Sequence, residues 1–254
     1  MLPLIDSHCH LDFADFDADR DEIIGYCQQL GLTHIIVPAV TCAQWPQLVA
    51  TCRQSPILHF ALGCHPMFME QHPEDALQQL DKAITQFQPV AVGEIGLDFY
   101  LPGHHKKNQL TLFEGQLAIA AQHQLPVILH VRKAHDEVLK LLRKYQLKGG
   151  ITHAFSGSLQ QANQYRDLGF LVGIGGGLTY PRAQRLQGLF SELPLEQIVL
   201  ETDAPDMPFC GHQGERNSPE YIPLVAEKLA ELRGVSIADI ARQTSANVRA
   251  LLVI

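Results

Sequence analysis

Short apolar segments rich in β-branched residues recur along the chain, and stretches with a helical spacing of apolar positions separate them. Short, nearly continuous apolar runs are typical of strands that are buried on both faces in a parallel sheet. The pattern therefore predicts eight strands, near residues 2–7, 34–40, 58–64, 89–95, 126–131, 150–154, 170–175 and 197–202.

The intervening stretches predict amphipathic helices. In one of them Leu110, Phe113, Leu117 and Ala120 recur at intervals of three and four residues, which places them on one helical face. A tail near 236–252 predicts one or two further helices, with Ser236 as an N-cap. The other helices are predicted near 19–30, 43–54, 74–86, 106–124, 134–145, 158–168, 182–191 and 218–232.

Eight alternations of strand and helix indicate an α/β protein with a parallel sheet. The chain has 254 residues, and a closed (β/α)8 barrel typically needs about 250. We therefore predict a single-domain TIM barrel over 1–254 with an extra C-terminal helix. A doubly wound open sheet is the alternative. The Gly- and Pro-rich stretch 205–219 follows the eighth strand and is the longest predicted loop.

Potential metal ligands follow six of the eight predicted strands, at the end where barrel enzymes carry their active sites. Taken singly, each of these side chains is compatible with a structural role such as a buried hydrogen bond or a loop cap. Jointly they form a ring around one barrel mouth and favour a metal site, because imidazole and carboxylate groups bind divalent ions. The segments are 8–10, 63–66, 93–98, 130–132, 153–157 and 201–205.

Composition narrows the possible partners and the cellular compartment. No run of about 18 apolar residues is present, so no membrane span is expected. The six cysteines form no Cys-x-x-Cys pair, and no export signal is visible, which predicts reduced thiols in the cytoplasm. The net charge of −8 argues against non-specific binding to long duplexes, but not against a nucleic-acid substrate held in a small cationic cleft. No obligate protein partner is indicated, and we expect a monomer.

The motifs at the strand ends resemble those of the TatD-type metal-dependent hydrolases, which belong to the amidohydrolase-like barrels. The closing segment 244–249 and the loop 216–219 are also similar to that family. Within the family the chain looks most like one branch, notably at 201–208. The resemblance covers nearly the whole chain. The motifs are Asp6-Ser7-His8-Cys9-His10, Gly63-Cys64-His65-Pro66, Glu94-Ile95-Gly96-Leu97-Asp98, His130-Val131-Arg132, His153-Ala154-Phe155-Ser156-Gly157 and Glu201-Thr202-Asp203-Ala204-Pro205.

The resemblance implies a centre with two divalent ions. Glu94 would bridge them, in the position where related amidohydrolases often use a carbamylated lysine. One ion would be held by His8, His10, Glu94 and Asp203, and the other by Glu94, His130 and His153.

A centre of this composition favours hydrolysis of an anionic substrate. The positive charge of two divalent cations exceeds the negative charge of the two carboxylates. Because bound metal lowers the pKa of water to about 7, we expect a hydroxide between the ions. Asp203 is the candidate to accept the proton of the attacking water. Nitrogen and oxygen ligands fit zinc, manganese or magnesium.

Two further residues are candidates for substrate binding. His65 would donate to a phosphate oxygen, and Arg132 would form a bidentate phosphate contact. The alternatives are a hydrogen bond to a loop carbonyl for His65, and an ion pair with Glu201 or Asp98 for Arg132. Glu201 is a candidate for orienting a ligand histidine.

Three functions remain open from the sequence. The leading hypothesis, as the resemblance suggests, is a phosphodiesterase or deoxyribonuclease acting on DNA ends. The second is hydrolysis of an amide or ester, including aminoacyl-tRNA esters, by the same centre. The third is a metal-binding protein without catalytic activity.

Overall fold

The computed structural model describes residues 3–100 and 106–254. Within them, eight parallel strands form one sheet in which each strand pairs with the next along the chain. The strands are β1 (Leu4–Asp6), β2 (Leu32–Pro38), β3 (Leu58–Leu62), β4 (Ala91–Asp98), β5 (Val127–Arg132), β6 (Gly150–Thr152), β7 (Phe170–Ile174) and β8 (Ile198–Leu200).

The first and last strands meet at their carboxyl ends. The backbone N–H of Ser7 donates to the carbonyl of Leu200 at 2.9 Å, and the N–H of Asp203 donates to the carbonyl of His8 at 2.9 Å. These bonds bring β1 and β8 together, so the sheet curves into a nearly closed barrel. The predicted (β/α)8 fold is confirmed, and the open doubly wound alternative is wrong.

Nine α-helices lie within the described residues, and the tail forms one helix. Its predicted N-cap is confirmed, because Ser236 Oγ accepts the N–H of Asp239 at 3.1 Å. The helices are α1 (Arg20–Leu30), α2 (Trp45–Cys52), α3 (Ala76–Phe87), α4 (Lys106–Gln122), α5 (His135–Leu142), α6 (Leu159–Asp167), α7 (Gln184–Glu192), α8 (Ile222–Arg233) and α9 (Ile237–Leu252).

The core has two layers. Side chains between the strands and the helices form the larger one. The smaller layer fills the barrel and includes Ile5, Ile36 and Ile128, with Val248 and Leu252 of α9 packed against it. Helix α9 therefore covers the end of the barrel where the strands begin, and the opposite end remains for a site.

The clearest difference from the predicted boundaries is in β4. The predicted strand stops at residue 95, but the observed strand pairs with β5 as far as Asp98, opposite Arg132. The register between β4 and β5 is irregular between Val92 and Ile95. Beyond that point the two strands continue to pair, and this pairing stabilises the longer β4. Glu94 therefore lies inside a strand, on a rigid part of the barrel.

Candidate metal centre

Glu94 lies at the centre of the barrel mouth, and its two carboxylate oxygens face different groups of histidines. Oε2 lies 3.1 Å from Nε2 of His8 and 3.5 Å from Nε2 of His10. Oε1 lies 2.9 Å from Nε2 of His153 and 3.1 Å from Nδ1 of His130. One buried carboxylate thus separates two clusters of imidazole nitrogens.

Asp203 faces only the first of these clusters. Its Oδ1 lies 3.5 Å from Nε2 of His8 and 3.7 Å from Nε2 of His10. Its side chain is 15% exposed, whereas that of Glu94 is 2% exposed. Asp203 is therefore more accessible than Glu94 from the cavity above the first cluster.

The His-x-His pair at the end of β1 has the arrangement that strand alternation predicts. The Nε2 atoms of His8 and His10 lie 3.3 Å apart, and Cys9 between them is buried in the core. Nδ1 of His10 donates to the carbonyl of Pro38 at 3.2 Å. This bond places the ring proton on Nδ1, so Nε2 keeps a free lone pair toward the centre.

Two carboxylates lie behind the second cluster. His130 donates through Nε2 to Oδ2 of Asp98 at 3.0 Å, which leaves Nδ1 as the nitrogen that faces Glu94. Glu201 accepts the N–H of Ala154, and its Oε1 lies 3.9 Å from Nδ1 of His153, beyond hydrogen-bond range. From the sequence, Glu201 is a candidate for orienting a ligand histidine. In the structure Asp98 makes such a bond, to His130, whereas Glu201 binds the backbone beside His153.

Sequence reasoning gave no role to Asp6 and Thr202, although both lie in quoted motifs. Asp6 is fully buried at the end of β1 and accepts bonds from the Thr202 hydroxyl, the Thr202 N–H and the His8 N–H. These bonds join the segments that carry His8 and Asp203. A buried acid immediately before a His-x-His pair was the available signal.

Two glycines make room for this arrangement. A side-chain carbon on Gly96, whose φ is +147°, would lie 1.9 Å from the carbonyl oxygen of His130. A side-chain carbon on Gly173 would lie 2.1 Å from Oε2 of Glu201. The close approach of β4 to β5, and the position of Glu201, both depend on the missing Cβ.

The charges at the centre depend on one another. Burial lowers the pKa of His8 well below its ordinary value. Burial alone would raise the pKa of Glu94, but the neighbouring imidazoles, led by His153, hold it well below its usual range. Burial acts to lower the pKa of His153, but the carboxylates of Glu94, Asp203 and Glu201, with Glu94 first, together outweigh burial and raise that pKa to about 10. Glu94 thus remains ionised and attracts positive charge.

The donor set fits divalent metal ions. Imidazole nitrogens and carboxylate oxygens converge here, and no sulfur atom takes part among the described residues of the centre. Within the described chain, atoms of His8, Glu94 and His153, and atoms of His8, His10 and Asp203, lie within 4.8 Å of one another. Such ligands suit zinc, manganese or magnesium.

His65 contacts Glu94 from a third direction, with Nε2 at 3.1 Å from Oε1. Its Nδ1 accepts the N–H of Met67 at 3.1 Å, and burial lowers the pKa of His65 to about 4. The neutral ring therefore carries its single proton on Nε2, which makes that nitrogen a hydrogen-bond donor. The expected alternative, a bond from the ring to a loop carbonyl, is absent from the described contacts.

Arg132 lies at the rim of the mouth. Its guanidinium lies over the ring of Tyr100, 3.7 Å from the ring centroid, and it pairs with neither Glu201 nor Asp98 within the described residues. Arg216, another cation of the loops, is instead bound to Asp19 away from the centre. Arg132 thus remains available at the mouth.

A cavity of about 650 Å³ opens above the centre. Its wall includes all the predicted metal-binding residues except the fully buried His8, together with His65 and Arg132. Phe13, Phe68 and Met207 add apolar surface to the rim. The structure therefore brings together every residue that the sequence analysis selected, although their roles as ligands or substrate contacts stay predictions.

A TIM barrel whose mouth holds buried histidines and carboxylates around an open cavity has the architecture and the donor set of the metal-dependent barrel hydrolases. The family model described as TatD related DNase matches residues 5–253. The chain belongs to the TatD family of metal-dependent hydrolases, as its sequence motifs indicated.

Individual relatives agree with this assignment. The chain is 41% identical over 241 residues to the Escherichia coli protein named uncharacterized metal-dependent hydrolase YjjV, covering 94% of this chain and 93% of the relative. The crystal structure of Escherichia coli YjjV matches with a TM-score of 0.95 at 40% identity, over 99% of this chain and 98% of that one. The expected resemblance of the chain to one branch of the family, that of YjjV, is thus confirmed.

A more distant relative has a more specific name. The chain is 30% identical over 257 residues to the Erwinia tasmaniensis protein named 3′–5′ ssDNA/RNA exonuclease TatD, covering 98% of this chain and 99% of the relative. A hydrolase TatD family protein from Entamoeba histolytica shares the fold, with a TM-score of 0.86 at 21% identity over 98% and 97% of the two chains. Among the described residues, no helix is both long and apolar enough to cross a bilayer.

Proposed function

We propose that this hydrolase is a phosphodiesterase that removes nucleotides from the ends of single-stranded DNA with two divalent ions. The observation that carries the proposal is the position of Glu94, whose two carboxylate oxygens face separate histidine clusters below one open cavity. The name of the Erwinia relative supports the choice of substrate.

The two clusters supply one ligand set each. His8, His10 and Asp203 would hold the first ion with Oε2 of Glu94, and His130 and His153 would hold the second with Oε1. When bound, the ions supply Lewis acidity, which lowers the pKa of water and stabilises the attacking and leaving oxygens.

Asp203 is the residue proposed to accept a proton from the attacking water. It combines proximity to the first cluster with access to the cavity, and it is the less buried of the two central carboxylates. Glu94 is held between five imidazoles, which keeps its oxygens occupied. A proton acceptor must reach the reacting water, and Asp203 meets that requirement.

His65 and Arg132 are proposed to position the substrate phosphate. Nε2 of His65 carries a proton inside the cavity, where it lies 3.1 Å from Oε1 of Glu94, and a bound phosphate oxygen would compete for that hydrogen bond. Arg132 presents its guanidinium at the rim, where it would bind phosphate oxygens through two N–H groups. Together they would hold the scissile phosphate over Glu94.

The shape of the cavity favours a chain end over the middle of a long strand or duplex. Its volume lies in the range of about 300–1,000 Å³ that is typical of small-ligand pockets. Phe13 and Phe68 line the rim, and stacking of bases on such aromatic side chains is worth about 1–3 kcal/mol per base. The net charge of −8 also disfavours extended contact with a polyanion.

The test is a degradation assay on protein stripped with a chelator and reloaded with magnesium, manganese or zinc separately. The substrates are single-stranded oligonucleotides labelled at either end, with a circular single strand as a control that lacks ends. We expect metal-dependent stepwise shortening of the linear strand alone. Label position and product lengths then give the polarity.

Asp203→Asn is run beside the wild type to exclude a contaminating nuclease, and Asp167→Asn, an exposed change at the end of α6, is the matched control. Activity should be lost only in Asp203→Asn. Metal-loaded protein that cleaves no strand would overturn the proposal, and aminoacyl esters and amides would be the next substrates to offer.

A further inference from the structure

A second group of metal-ligand atoms lies outside the Glu94 centre. We propose that Cys42, Cys64 and His72 form a separate binding site for a thiophilic cation of the Zn²⁺ type. The sulfur atoms of the two cysteines and a ring nitrogen of His72 all lie within 4.8 Å of one another. The combination of two sulfurs and one imidazole is typical of zinc sites.

Hydrogen bonding leaves one nitrogen of His72 free for this role. Nε2 lies 2.9 Å from the carbonyl oxygen of His65, and a carbonyl only accepts, so Nε2 carries the proton. Nδ1 is shielded from solvent and makes no hydrogen bond of normal geometry within the described residues, although the ring lies close enough to the Cys42 thiol to interact with it. A buried lone pair without a partner is costly, and a metal ion would satisfy it.

The separation of the two sulfurs is nearer to that of a metal site than to that of a disulfide. The sulfur atoms of Cys42 and Cys64 lie 3.3 Å apart. Two zinc–sulfur bonds of about 2.3 Å at a tetrahedral angle place sulfurs about 3.8 Å apart, whereas a disulfide needs about 2.05 Å. The two sulfurs would have to move about 0.5 Å further apart to bind the ion. To form a disulfide they would have to move more than about 1 Å closer together.

The backbone around the cluster is held in place without a metal. Both the N–H and the carbonyl of Cys64 bond to the side-chain amide of Gln116, at 2.7 and 3.1 Å. Cys42 begins a short 3₁₀ helix, where the N–H of Thr41 donates to the side-chain oxygen of Gln44 at 3.2 Å. The ligands therefore come from ordered segments, which limits the entropy lost on binding.

The cluster adjoins the Glu94 centre but has different chemistry. Cys64 precedes His65 in the chain, and His72 bonds to the His65 carbonyl. Cys42 and Cys64 are both buried, so access is from the His72 side, which is only partly buried. Both cysteines would bind as thiolates, so binding would release the thiol protons that the pair carries to solvent, and no atom changes oxidation state. A fourth coordination position remains for water.

Cobalt(II) distinguishes the two sites, because only a thiolate ligand produces sulfur-to-cobalt charge transfer in the near ultraviolet. Wild-type protein should show this absorption when it is loaded with cobalt and kept reduced by a reductant that contains no thiol group. Asp203→Asn should retain it, since the band does not arise from the Glu94 centre. Cys42→Ser should abolish it and lower the bound metal by one equivalent, and His72→Gln should weaken cobalt binding.

Cys210→Ser is the matched control, because Cys210 lies in a different loop and is partly exposed. It should leave the absorption unchanged. If Cys42→Ser fails to fold, judged by circular dichroism, then the variant of the partly exposed His72 carries the test. No charge-transfer band in reduced wild type, or a band that survives Cys42→Ser and His72→Gln, would refute the site. An intact mass two hydrogens low after gentle purification would indicate a Cys42–Cys64 disulfide instead.

Discussion

His130 donates its Nε2 proton to Oδ2 of Asp98 across 3.0 Å, and this bond determines which nitrogen faces Glu94. The two residues lie on neighbouring strands, where Gly96 is opposite His130 and Asp98 is opposite Arg132. Because β4 and β5 are rigid, the imidazole is oriented before any ligand arrives. A carboxylate behind a metal-binding histidine fixes its tautomer and raises its basicity.

Asp98→Ala should therefore weaken binding of the second ion by about 10–100-fold, since loss of such a partner typically has that effect. Asp98→Asn should lose less, because the amide oxygen still accepts from Nε2. Competition with a chromogenic chelator measures the affinity, and the exposed Asp21→Asn serves as a control. An unchanged affinity in Asp98→Ala would show that His130 needs no fixed tautomer to bind.

Glu94→Gln should release at least one equivalent of metal, because the amide replaces a charged group that contacts both histidine clusters. Elemental analysis after dialysis against a weak chelator gives the stoichiometry. Glu192→Gln, on the exposed face of α7, should keep the wild-type content. Full occupancy of two ions in Glu94→Gln would contradict the bridging role.

Arg132→Ala should raise KM for a single-stranded oligonucleotide while changing kcat little. Loss of one partly solvated phosphate contact is worth about 1 kcal/mol, which corresponds to roughly a fivefold change. Steady-state kinetics with the reloaded enzyme measure this effect. Lys148→Ala removes the same charge just before β6, at the far end of the barrel, and should leave KM unchanged. Equal effects of the two variants would indicate a general charge effect.

Gly173→Ala should lower the free energy of unfolding by about 1–3 kcal/mol, because its Cβ would overlap the Glu201 carboxylate. Gly188→Ala is the matched substitution, since no atom lies within 4 Å of the added carbon in α7. It should raise the free energy of unfolding by about 0.5–1 kcal/mol. Urea unfolding of metal-free protein compares them, and similar values for both variants would show that Glu201 moves aside at little cost.

The pairing of Asp19 with Arg216 predicts a pH dependence of stability. Hydrogen bonds from Arg216 lower the pKa of Asp19, so its stabilising contribution is present above the unfolded-state pKa, near 3.8. The contribution disappears as the pH falls through the lower folded-state value. The pair is partly exposed, and a coupling of about 0.2–1 kcal/mol is expected at neutral pH.

A double-mutant cycle of Asp19→Asn and Arg216→Gln, followed by urea unfolding, measures this coupling. The coupling should be present at pH 7 and vanish below the pKa of Asp19. A coupling energy that stays constant with pH would mean that the contact does not depend on the ionised carboxylate.

The sequence alone was sufficient for the order and number of the strands. Buried parallel strands need continuous apolar runs, and these runs are visible without any tertiary information. The same reasoning placed His8, Glu94 and Asp203 at one barrel mouth, because all parallel strands end on the same side. The end of β4 was misplaced because pairing with β5, rather than hydrophobic pattern, extends that strand.

The relative positions of side chains from distant segments depended on closure of the barrel. Asp6 and Thr202 are 196 positions apart in the chain, and they meet only because β1 and β8 meet. Strand alternation could have placed Asp98 on the face of Glu94, but not within reach of His130, because that contact depends on the register between β4 and β5.

The grouping of the cysteines also depends on tertiary structure rather than on a pattern in the sequence. Their spacing in the sequence predicts only reduced thiols, and no pattern relates Cys42 to Cys64 or to His72. Two loops at neighbouring strand ends bring the three side chains together. Residue type and strand position thus determine which chemistry is available. Register and curvature determine which atoms meet, since distances of a few ångströms depend on the whole closed sheet.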